Sequence, residues 1–191
     1  RQFGHLLPQV KWVNMGGGHL MTRQGYNKEH LIQLLKDFHS RYPHLQVILE
    51  PGSAFMWRTG DLISSVVDVV NHDGINTAIM DVSFACHMPD TLEMPYQPIV
   101  SESVPEQPGH TIAYRLGGNS CLSGDFIGDW YFVKLLRPGM RLTFEDMNHY
   151  TNVKTTMFNG IQHPDIVLCD RDSQCRYLRR YTYEDYKSRM S

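Results

Sequence analysis

The chain has 191 residues, of which 41% are hydrophobic, 11% aromatic and 20% charged, which is enough apolar content for a packed core and excludes a disordered chain. Its 18 basic and 20 acidic residues give a formal net charge of -2, so no basic surplus points to nucleic acid. No apolar run approaches the roughly 20 residues that a membrane-spanning helix needs, and we predict neither nucleic acid nor a membrane as a partner.

The length fits one domain or two small ones. The chain starts at Arg1 rather than at a methionine, and no signal peptide opens it. We therefore expect it to be part of a longer polypeptide.

The four cysteines, Cys86, Cys121, Cys169 and Cys175, include no CxxC pair. We predict from this that the protein has no disulfide framework and works in a reduced, cytoplasmic setting. Cys169 and Cys175 flank a turn-like stretch, but nothing nearby supplies the second pair of ligands that a zinc ion needs. We therefore predict no metal site.

The first 60 residues follow the pattern of a βαβ unit. A β-prone run at 10–14 ends in a triple glycine, and an apolar run at 45–49 is closed by Glu50. Between them, Asn27 is a good N-cap for a helix that begins at Lys28 and that Pro43 stops. Its apolar residues recur at three- and four-residue steps and form one face: Leu31, Leu34, Leu35, Phe38 and Tyr42. The two strands are then parallel with a right-handed crossover, and their carboxyl ends share one rim.

After residue 60 the pattern changes to short alternating or β-branched runs separated by clusters of Gly, Pro, Asn and Asp. Such a pattern predicts an antiparallel β domain. The predicted strands span residues 62–70, 77–80, 111–116, 132–136 and 166–169, and residues 181–189 are a candidate terminal helix.

Two groups at the predicted strand ends suit a phosphorylated cofactor. Gly16, Gly17 and Gly18 expose consecutive backbone N–H groups that can bind a phosphate, although a bare triple glycine is also typical of a flexible turn. Glu50 offers a carboxylate that can keep a bound pyridine nitrogen protonated, although Glu-Pro-Gly is also typical of a turn with a solvated carboxylate.

Two further candidates lie in the β domain. Cys121 sits in a loop of small residues, 117–125, that also contains Asp125. Such a loop can present a reactive thiol without steric cover, but a glycine-rich hairpin with a buried cysteine has the same sequence. Tyr150 has a hydroxyl that can donate to a phosphate, whereas tyrosine in a β domain usually only packs.

Six segments carry a resemblance to one enzyme family. They are NMGGGH at 14–19, EPG at 50–52, DVSFACHMPD at 81–90, EMPY at 93–96, CLSGD at 121–125 and YTNVKTTMFNG at 150–160. In these segments the chain resembles the C-terminal half of the fold-type III, pyridoxal-phosphate-dependent decarboxylases. That alanine-racemase-like barrel group includes the ornithine and diaminopimelate decarboxylases. Within the group, the chain looks most like the carboxynorspermidine and carboxyspermidine decarboxylases.

The resemblance implies an α/β part followed by a β part. Residues 1–60 would be the last βα units of a pyridoxal-phosphate-binding TIM barrel, and residues 61–191 an antiparallel β-sandwich or barrel. It also implies a homodimer with shared active sites and a polyamine precursor as substrate.

Carried over residue by residue, the resemblance implies that Gly16, Gly17 and Gly18 hold the phosphate of the cofactor. The same comparison puts Gly52 among the cofactor-binding residues. Glu50 would pair with the pyridine nitrogen of the cofactor, and Tyr150 would also reach its phosphate.

Cys121 matches the cysteine that family members contribute across the dimer interface, where the decarboxylated carbon is protonated. The resemblance assigns substrate contacts to Asp81, Asp125 and His87, with Asp81 facing the distal nitrogen. Leu122 replaces the acid that ornithine and diaminopimelate decarboxylases have after this cysteine, which argues against both substrates.

None of the six lysines matches the Schiff-base lysine of the family; they are Lys11, Lys28, Lys36, Lys134, Lys154 and Lys187. The chain therefore carries about half of an active site, and we predict that it is inactive alone. The function implied is the decarboxylation of carboxynorspermidine or carboxyspermidine in polyamine biosynthesis. The alternatives are a related amino-acid decarboxylase, such as diaminopimelate decarboxylase, and a non-catalytic relative that binds a partner.

Overall fold

A computed structural model describes residues 2–172 and 174–190. The chain separates into two compact units, Arg1–Trp57 and Arg58–Ser191, whereas the sequence predicts a boundary after residue 60. No helix in the described part of the chain is long and apolar enough to cross a membrane.

The first unit contains the predicted βαβ arrangement. Its elements are a short 3₁₀ turn (Gly4–Gln9), β1 (Trp12–Asn14), α1 (Lys28–Arg41), β2 (Gln46–Ile48) and α2 (Gly52–Met56). Strands β1 and β2 pair in parallel, as predicted, with Asn14 opposite Ile48. The carboxyl ends of both strands therefore lie side by side.

Helix α1 begins and ends where its sequence signals lie. The Asn27 side chain accepts a hydrogen bond from the His30 N–H at 2.9 Å and so caps the first turn. The helix ends at Arg41 because the residue before Pro43 is driven out of helical geometry. The predicted apolar face is half-buried except at Leu34, which is exposed.

The second unit is built on a five-stranded sheet. Its strands are β3 (Leu62–His72), β4 (Ile75–Met80), β5 (Ile112–Gly117), β6 (Phe126–Phe132) and β7 (Arg141–Phe144), in the order β6-β5-β4-β3-β7. The β4–β5 pair is parallel, so the predicted all-antiparallel sheet is wrong and the sheet is mixed. A parallel pair needs a crossover, and the chain between these strands supplies one that contains α3 (Phe84–His87) and α4 (Pro89–Glu93).

The predicted strand at residues 132–136 is also wrong. The strand here is β6, which ends at Phe132, and both Val133 and Leu135 are exposed. In β6, Trp130 and Phe132 point into the core, while Gly128 and Asp129 between the apolar residues weaken the strand signal in the sequence.

The core of the second unit lies against this sheet. Phe84, Trp130 and Phe144 form an aromatic group with ring centroids 5.8–6.3 Å apart. Phe84 belongs to α3, so the crossover itself packs into the core. This packing fixes the position of the segment just after β4.

The chain ends in a hairpin and a short helix. Strand β8 (Ile166–Cys169) pairs with β9 (Cys175–Arg179), and α5 (Tyr183–Lys187) is shorter than the predicted helix. Cys169 and Cys175 lie opposite each other in the antiparallel register and form a disulfide, so the prediction that disulfides are absent is wrong. The cysteine spacing did not indicate this pairing, which depends on the hairpin register. Ser173, in the predicted turn between these cysteines, lies outside the described residues.

Candidate active site

In the first unit the triple-glycine loop and Glu50 are hydrogen-bonded neighbours. The Glu50 N–H donates to the Gly16 carbonyl at 2.8 Å. The Glu50 carboxylate accepts a hydrogen bond from the Asn14 amide, with 2.6 Å between Nδ2 and Oε1. The loop that follows β1 and the acid that follows β2 therefore form one local structure.

The glycines of this loop are required by its geometry. A Cβ atom at Gly17 would lie 2.5 Å from the Glu50 carbonyl oxygen, so the loop and the backbone at Glu50 approach too closely for a side chain. Gly16 and Gly18 have φ values of +71° and +85°, in the left-handed region that favours glycine. No other group lies within 4 Å of the Cβ position at either residue in the part of the chain described. An uncovered backbone turn beside a carboxylate fits a phosphate and a protonated ring nitrogen, the two polar ends of pyridoxal phosphate.

Gly52 is the first residue of α2. Its N–H donates to the Glu50 carbonyl oxygen at 2.8 Å, so the predicted cofactor-binding residue is engaged in the turn that ends at α2.

In the second unit, the Cys121 thiol is exposed and is contacted by Asn159. The Asn159 amide donates to Cys121, with 2.7 Å between Nδ2 and Sγ. Asn159 has a φ of +58°, an uncommon conformation for a residue other than glycine. Leu122 and Asn159 both line a cavity of about 730 Å³ whose wall also includes Ala85 and Phe158.

Asp125 anchors the loop that carries Cys121. Its buried carboxylate accepts hydrogen bonds from the Ala85 N–H at 2.9 Å and from the Ser120 hydroxyl and N–H at 2.6 and 3.2 Å. A Cβ atom at Gly118 would lie 2.1 Å from the carboxylate. Within this unit Asp125 therefore joins the Cys121 loop to the start of α3.

Asp81, just after β4, is exposed and held by strand β3. Its Oδ1 accepts hydrogen bonds from the Ser64 hydroxyl at 2.7 Å and from the Ser65 N–H at 2.8 Å. Both bonds go to the same oxygen, so they fix the direction of the carboxylate.

His87 is buried and lines a second cavity, of about 310 Å³, together with Thr59 and Asn152. Its Nδ1 accepts a hydrogen bond from the Ser83 N–H at 3.1 Å, while Nε2 is buried with no hydrogen-bond partner among the described residues. Burial, reinforced by the neighbouring His163, lowers the pKa of His87 to about 4. His87 is therefore neutral near pH 7, and it lines a different cavity from Leu122 and Asn159.

Tyr150 is about half exposed, and the Lys154 ammonium lies 5.7 Å from the centre of its ring. The described residues contain no cluster of three or more His, Cys, Asp or Glu side chains arranged to hold a metal ion.

Several residues that orient the predicted site residues have no role that the sequence predicts. Asn14, Ser64 and Asn159 each hold a predicted site residue through a side-chain hydrogen bond. Asn159 precedes Gly160, and an Asn-Gly pair is a turn signal that could have drawn attention to it. Ser64 has no such signal, because its role depends on strand pairing.

The class of protein is defined by a comparison with known families. Residues 58–148 match the family described as "Pyridoxal-dependent decarboxylase, C-terminal sheet domain". Together with the relatives below, this match confirms the resemblance to pyridoxal-phosphate-dependent decarboxylases that the sequence predicts. The description of this family names its members as pyridoxal-dependent enzymes.

Individual relatives match nearly the whole chain. The chain is 52% identical over 188 residues to carboxyaminopropylagmatine decarboxylase of Synechocystis sp.. The aligned region covers 98% of this chain and 48% of that relative. It is also 42% identical over 198 residues to carboxynorspermidine/carboxyspermidine decarboxylase of Campylobacter jejuni. That aligned region covers 98% of this chain and 51% of the relative. The predicted similarity to the carboxynorspermidine and carboxyspermidine decarboxylases is thereby confirmed.

A solved structure agrees with these matches. The crystal structure of carboxynorspermidine decarboxylase from Campylobacter jejuni, complexed with norspermidine, superposes with a TM-score of 0.85 at 42% identity. The match covers 98% of this chain and 53% of that structure. The chain thus spans about half the length of the curated relatives it matches.

Proposed function

We propose that this chain forms part of a pyridoxal-phosphate-dependent decarboxylase that converts carboxynorspermidine or carboxyspermidine to norspermidine or spermidine. The observation that carries the proposal is the Glu50 carboxylate, fixed beside the triple-glycine loop at the carboxyl ends of two parallel strands. Relatives that are 42% and 36% identical to this chain are named for these two substrates.

In the proposed site the first unit binds the cofactor. Pyridoxal phosphate, when bound, delocalises the electron pair that remains after carbon dioxide leaves. The N–H groups of Gly17 and Gly18 are the ones that we propose bind its phosphate, because the Gly16 N–H already donates to Oδ1 of Asn14 at 2.8 Å. Gly16 shapes the loop through its positive φ. A contact of the Tyr150 hydroxyl with this phosphate stays a prediction. Glu50 holds a proton on the pyridine nitrogen, because a carboxylate beside that nitrogen favours its charged form.

Cys121 is the group that we propose returns a proton to the α-carbon of the substrate. The Asn159 amide holds the thiol in one direction, and the Asp125 carboxylate keeps its loop in place. We propose that Cys121 acts in the site of a partner subunit, so that the protein is a homodimer with shared active sites.

Asp81 and Leu122 are proposed to select the substrate. Ser64 and Ser65 occupy one oxygen of the Asp81 carboxylate and leave the other for the distal amine of a polyamine precursor. Leu122 presents an apolar side chain next to Cys121, which suits the methylene chain of such a precursor better than the second charged group of diaminopimelate. A substrate contact by His87 remains part of the proposal.

A second candidate substrate is carboxyaminopropylagmatine. It is favoured by the 52% identity to a decarboxylase of that name. Agmatine ends in a guanidinium group, which pairs best with both oxygens of a carboxylate. One Asp81 oxygen already accepts two hydrogen bonds and is less available to a guanidinium group. We therefore favour carboxynorspermidine and carboxyspermidine, which end in an amine, as substrates.

The test uses a protein that carries this chain together with the rest of the length of its relatives. Carbon dioxide release is measured with carboxynorspermidine, carboxyspermidine, carboxyaminopropylagmatine and diaminopimelate. We expect one of the first two to have the highest kcat/KM, by at least about tenfold, or about 1.4 kcal/mol. A preference for carboxyaminopropylagmatine would favour the second candidate, and a preference for diaminopimelate would contradict both. Failure to develop the visible absorbance of bound pyridoxal phosphate would favour a non-catalytic relative.

The setting of the protein also remains a proposal. We propose a cytoplasmic enzyme, in keeping with the low cysteine content of the chain. The Cys169–Cys175 disulfide counts against a fully reduced compartment, since disulfides persist mainly in oxidising ones.

A further inference from the structure

The side chain of Asn14 links the two parts of the candidate cofactor site. Its Oδ1 accepts a hydrogen bond from the Gly16 N–H at 2.8 Å. Its Nδ2 donates to Oε1 of Glu50 at 2.6 Å. One short amide thus contacts both the glycine loop and the carboxylate.

These two contacts require opposite properties from one side chain. The Gly16 N–H needs an acceptor, and the Glu50 carboxylate needs a donor, so the orientation of the amide is fixed by its partners. An aspartate at this position would keep the acceptor but lose the donor. It would also bring a second carboxylate to within hydrogen-bonding distance of Glu50, where like charges repel.

Backbone pairing between β1 and β2 restricts where the Asn14 side chain can lie. Asn14 is the last residue of β1 and lies opposite Ile48 in β2, so Glu50 follows two residues beyond that partner. The Met15 N–H donates to the Ile48 carbonyl at 2.9 Å, and the Glu50 N–H donates to the Gly16 carbonyl at 2.8 Å. The segments that follow β1 and β2 are therefore joined backbone to backbone directly beyond Asn14.

We propose that Asn14 is a positioning residue that holds the Glu50 carboxylate and the glycine loop in a single arrangement. By occupying Oε1, it leaves Oε2 of Glu50 for the pyridine nitrogen while the loop faces the phosphate. This inference rests on the proposed function, because it assumes that the loop and the carboxylate bind one cofactor.

The experiment compares Asn14→Asp with Asn27→Asp in the complete protein. Among the described residues, the Asn27 side chain acts as an acceptor, for the His30 N–H at the start of α1, and an aspartate there still caps the helix. The two variants therefore make the same chemical change in the same unit, but only the first removes a donor to a carboxylate.

The first readout is the dissociation constant of pyridoxal phosphate, from titration of its absorbance. We expect Asn14→Asp to weaken binding by about tenfold to a hundredfold, the cost of losing one charge-assisted hydrogen bond. Asn27→Asp should bind as the wild type does. The same variant should lower kcat more than it raises KM for the substrate, because Glu50 acts on the cofactor and not on substrate affinity.

The second readout does not depend on the cofactor. Hydrogen exchange at the Glu50 N–H, measured without pyridoxal phosphate, should be at least about tenfold faster in Asn14→Ala than in the wild type. Asn27→Ala should leave it unchanged. Equal exchange rates in the two alanine variants would overturn the positioning role whatever the enzyme does.

The two failures are distinguishable. If the wild type does not bind pyridoxal phosphate, the proposed function fails, while the exchange experiment still decides whether Asn14 orders the loop. If the wild type binds it and Asn14→Asp matches Asn27→Asp in affinity and kcat, the inference fails and the proposed function stands.

Discussion

A substitution at Glu50 can remove the negative charge of the side chain and keep its hydrogen bond to Asn14. In Glu50→Gln, the side-chain carbonyl can still accept from the Asn14 amide, so the cofactor site keeps its geometry. The amide cannot sustain a protonated pyridine nitrogen, and we expect kcat to fall by about a hundredfold or more while cofactor affinity changes far less.

Single-turnover decarboxylation and absorbance titration of pyridoxal phosphate measure the two effects of Glu50→Gln separately. Glu29→Gln, in the first turn of α1, is the matched control and should leave both unchanged. Unchanged turnover in Glu50→Gln would mean that Glu50 does not act on the cofactor ring.

His87 makes the free energy of unfolding depend on pH. Its pKa is about 4 in the folded protein and near 6.5 when unfolded, so the unfolded state binds more protons between these values. As far as His87 is concerned, the free energy of unfolding is therefore highest above about pH 6.5. It decreases by at most about 3 kcal/mol as the pH drops towards 4. The variant His87→Asn retains an acceptor for the Ser83 N–H but cannot titrate in this range.

Urea denaturation at pH 7 and pH 5 tests this dependence. We expect the wild type to lose clearly more stability between the two values than His87→Asn does. His72→Asn, at an exposed position at the end of β3, should keep the wild-type dependence. The assignment to His87 would be refuted by a wild type and a His87→Asn variant that lose stability equally.

At the scale of elements, the loop that carries Cys121 depends on one buried carboxylate. Asp125→Ala would leave the Ala85 N–H and the Ser120 donors without their acceptor in a buried position. We expect this change to cost about 2–3 kcal/mol of unfolding free energy, by analogy with other unsatisfied buried groups. Asp129→Ala removes only a partly exposed pair with Arg115 and should cost about 0–1 kcal/mol.

Thermal or urea unfolding of both variants provides the comparison. Similar losses in Asp125→Ala and Asp129→Ala would show that the Asp125 contacts do not anchor the loop, and a direct substrate contact would then become the better assignment for Asp125.

The elements that the sequence predicted well are those specified by local signals. Helix α1 has an N-cap, a period near 3.6 and a terminating proline, and its bounds follow from these three features. The parallel pairing of β1 and β2 follows from the helix between them, since adjacent parallel strands require a crossover.

The elements that the sequence missed depend on contacts between distant residues. The parallel β4–β5 pair is separated along the chain by α3, α4 and a long loop, so no short-range pattern records it. Strand β6 contains Gly128 and Asp129, which are unfavourable in strands and are tolerated because its aromatic residues pack into the core.

The candidate site divides in the same way. Gly16, Gly17 and Glu50 were predictable because they lie within three residues of the end of a strand. The contacts from Asn14 to Glu50 and from Asn159 to Cys121 join residues 36 and 38 positions apart, and only the fold shows them. The reactive groups are thus predictable from the sequence, whereas the residues that orient them are not.

At the scale of the whole molecule, the proposed function requires two subunits to build each complete active site. If Cys121 acts in the site of a partner subunit, two defective subunits can complement each other. One carries Cys121→Ala, and the other lacks the Schiff-base lysine, which matches none of the lysines of this chain. Neither homodimer should be active, because each lacks a group that every site needs.

Mixing the two variants should restore part of the activity. With random exchange of subunits, about half of the dimers are mixed, and one of the two sites in each is complete, so about a quarter of full activity is expected. Native mass spectrometry verifies the exchange, and carbon dioxide release measures the recovery. If mixed dimers form and remain inactive, Cys121 acts within its own subunit or outside the site, because a cross-subunit thiol would have to restore one site in each mixed dimer.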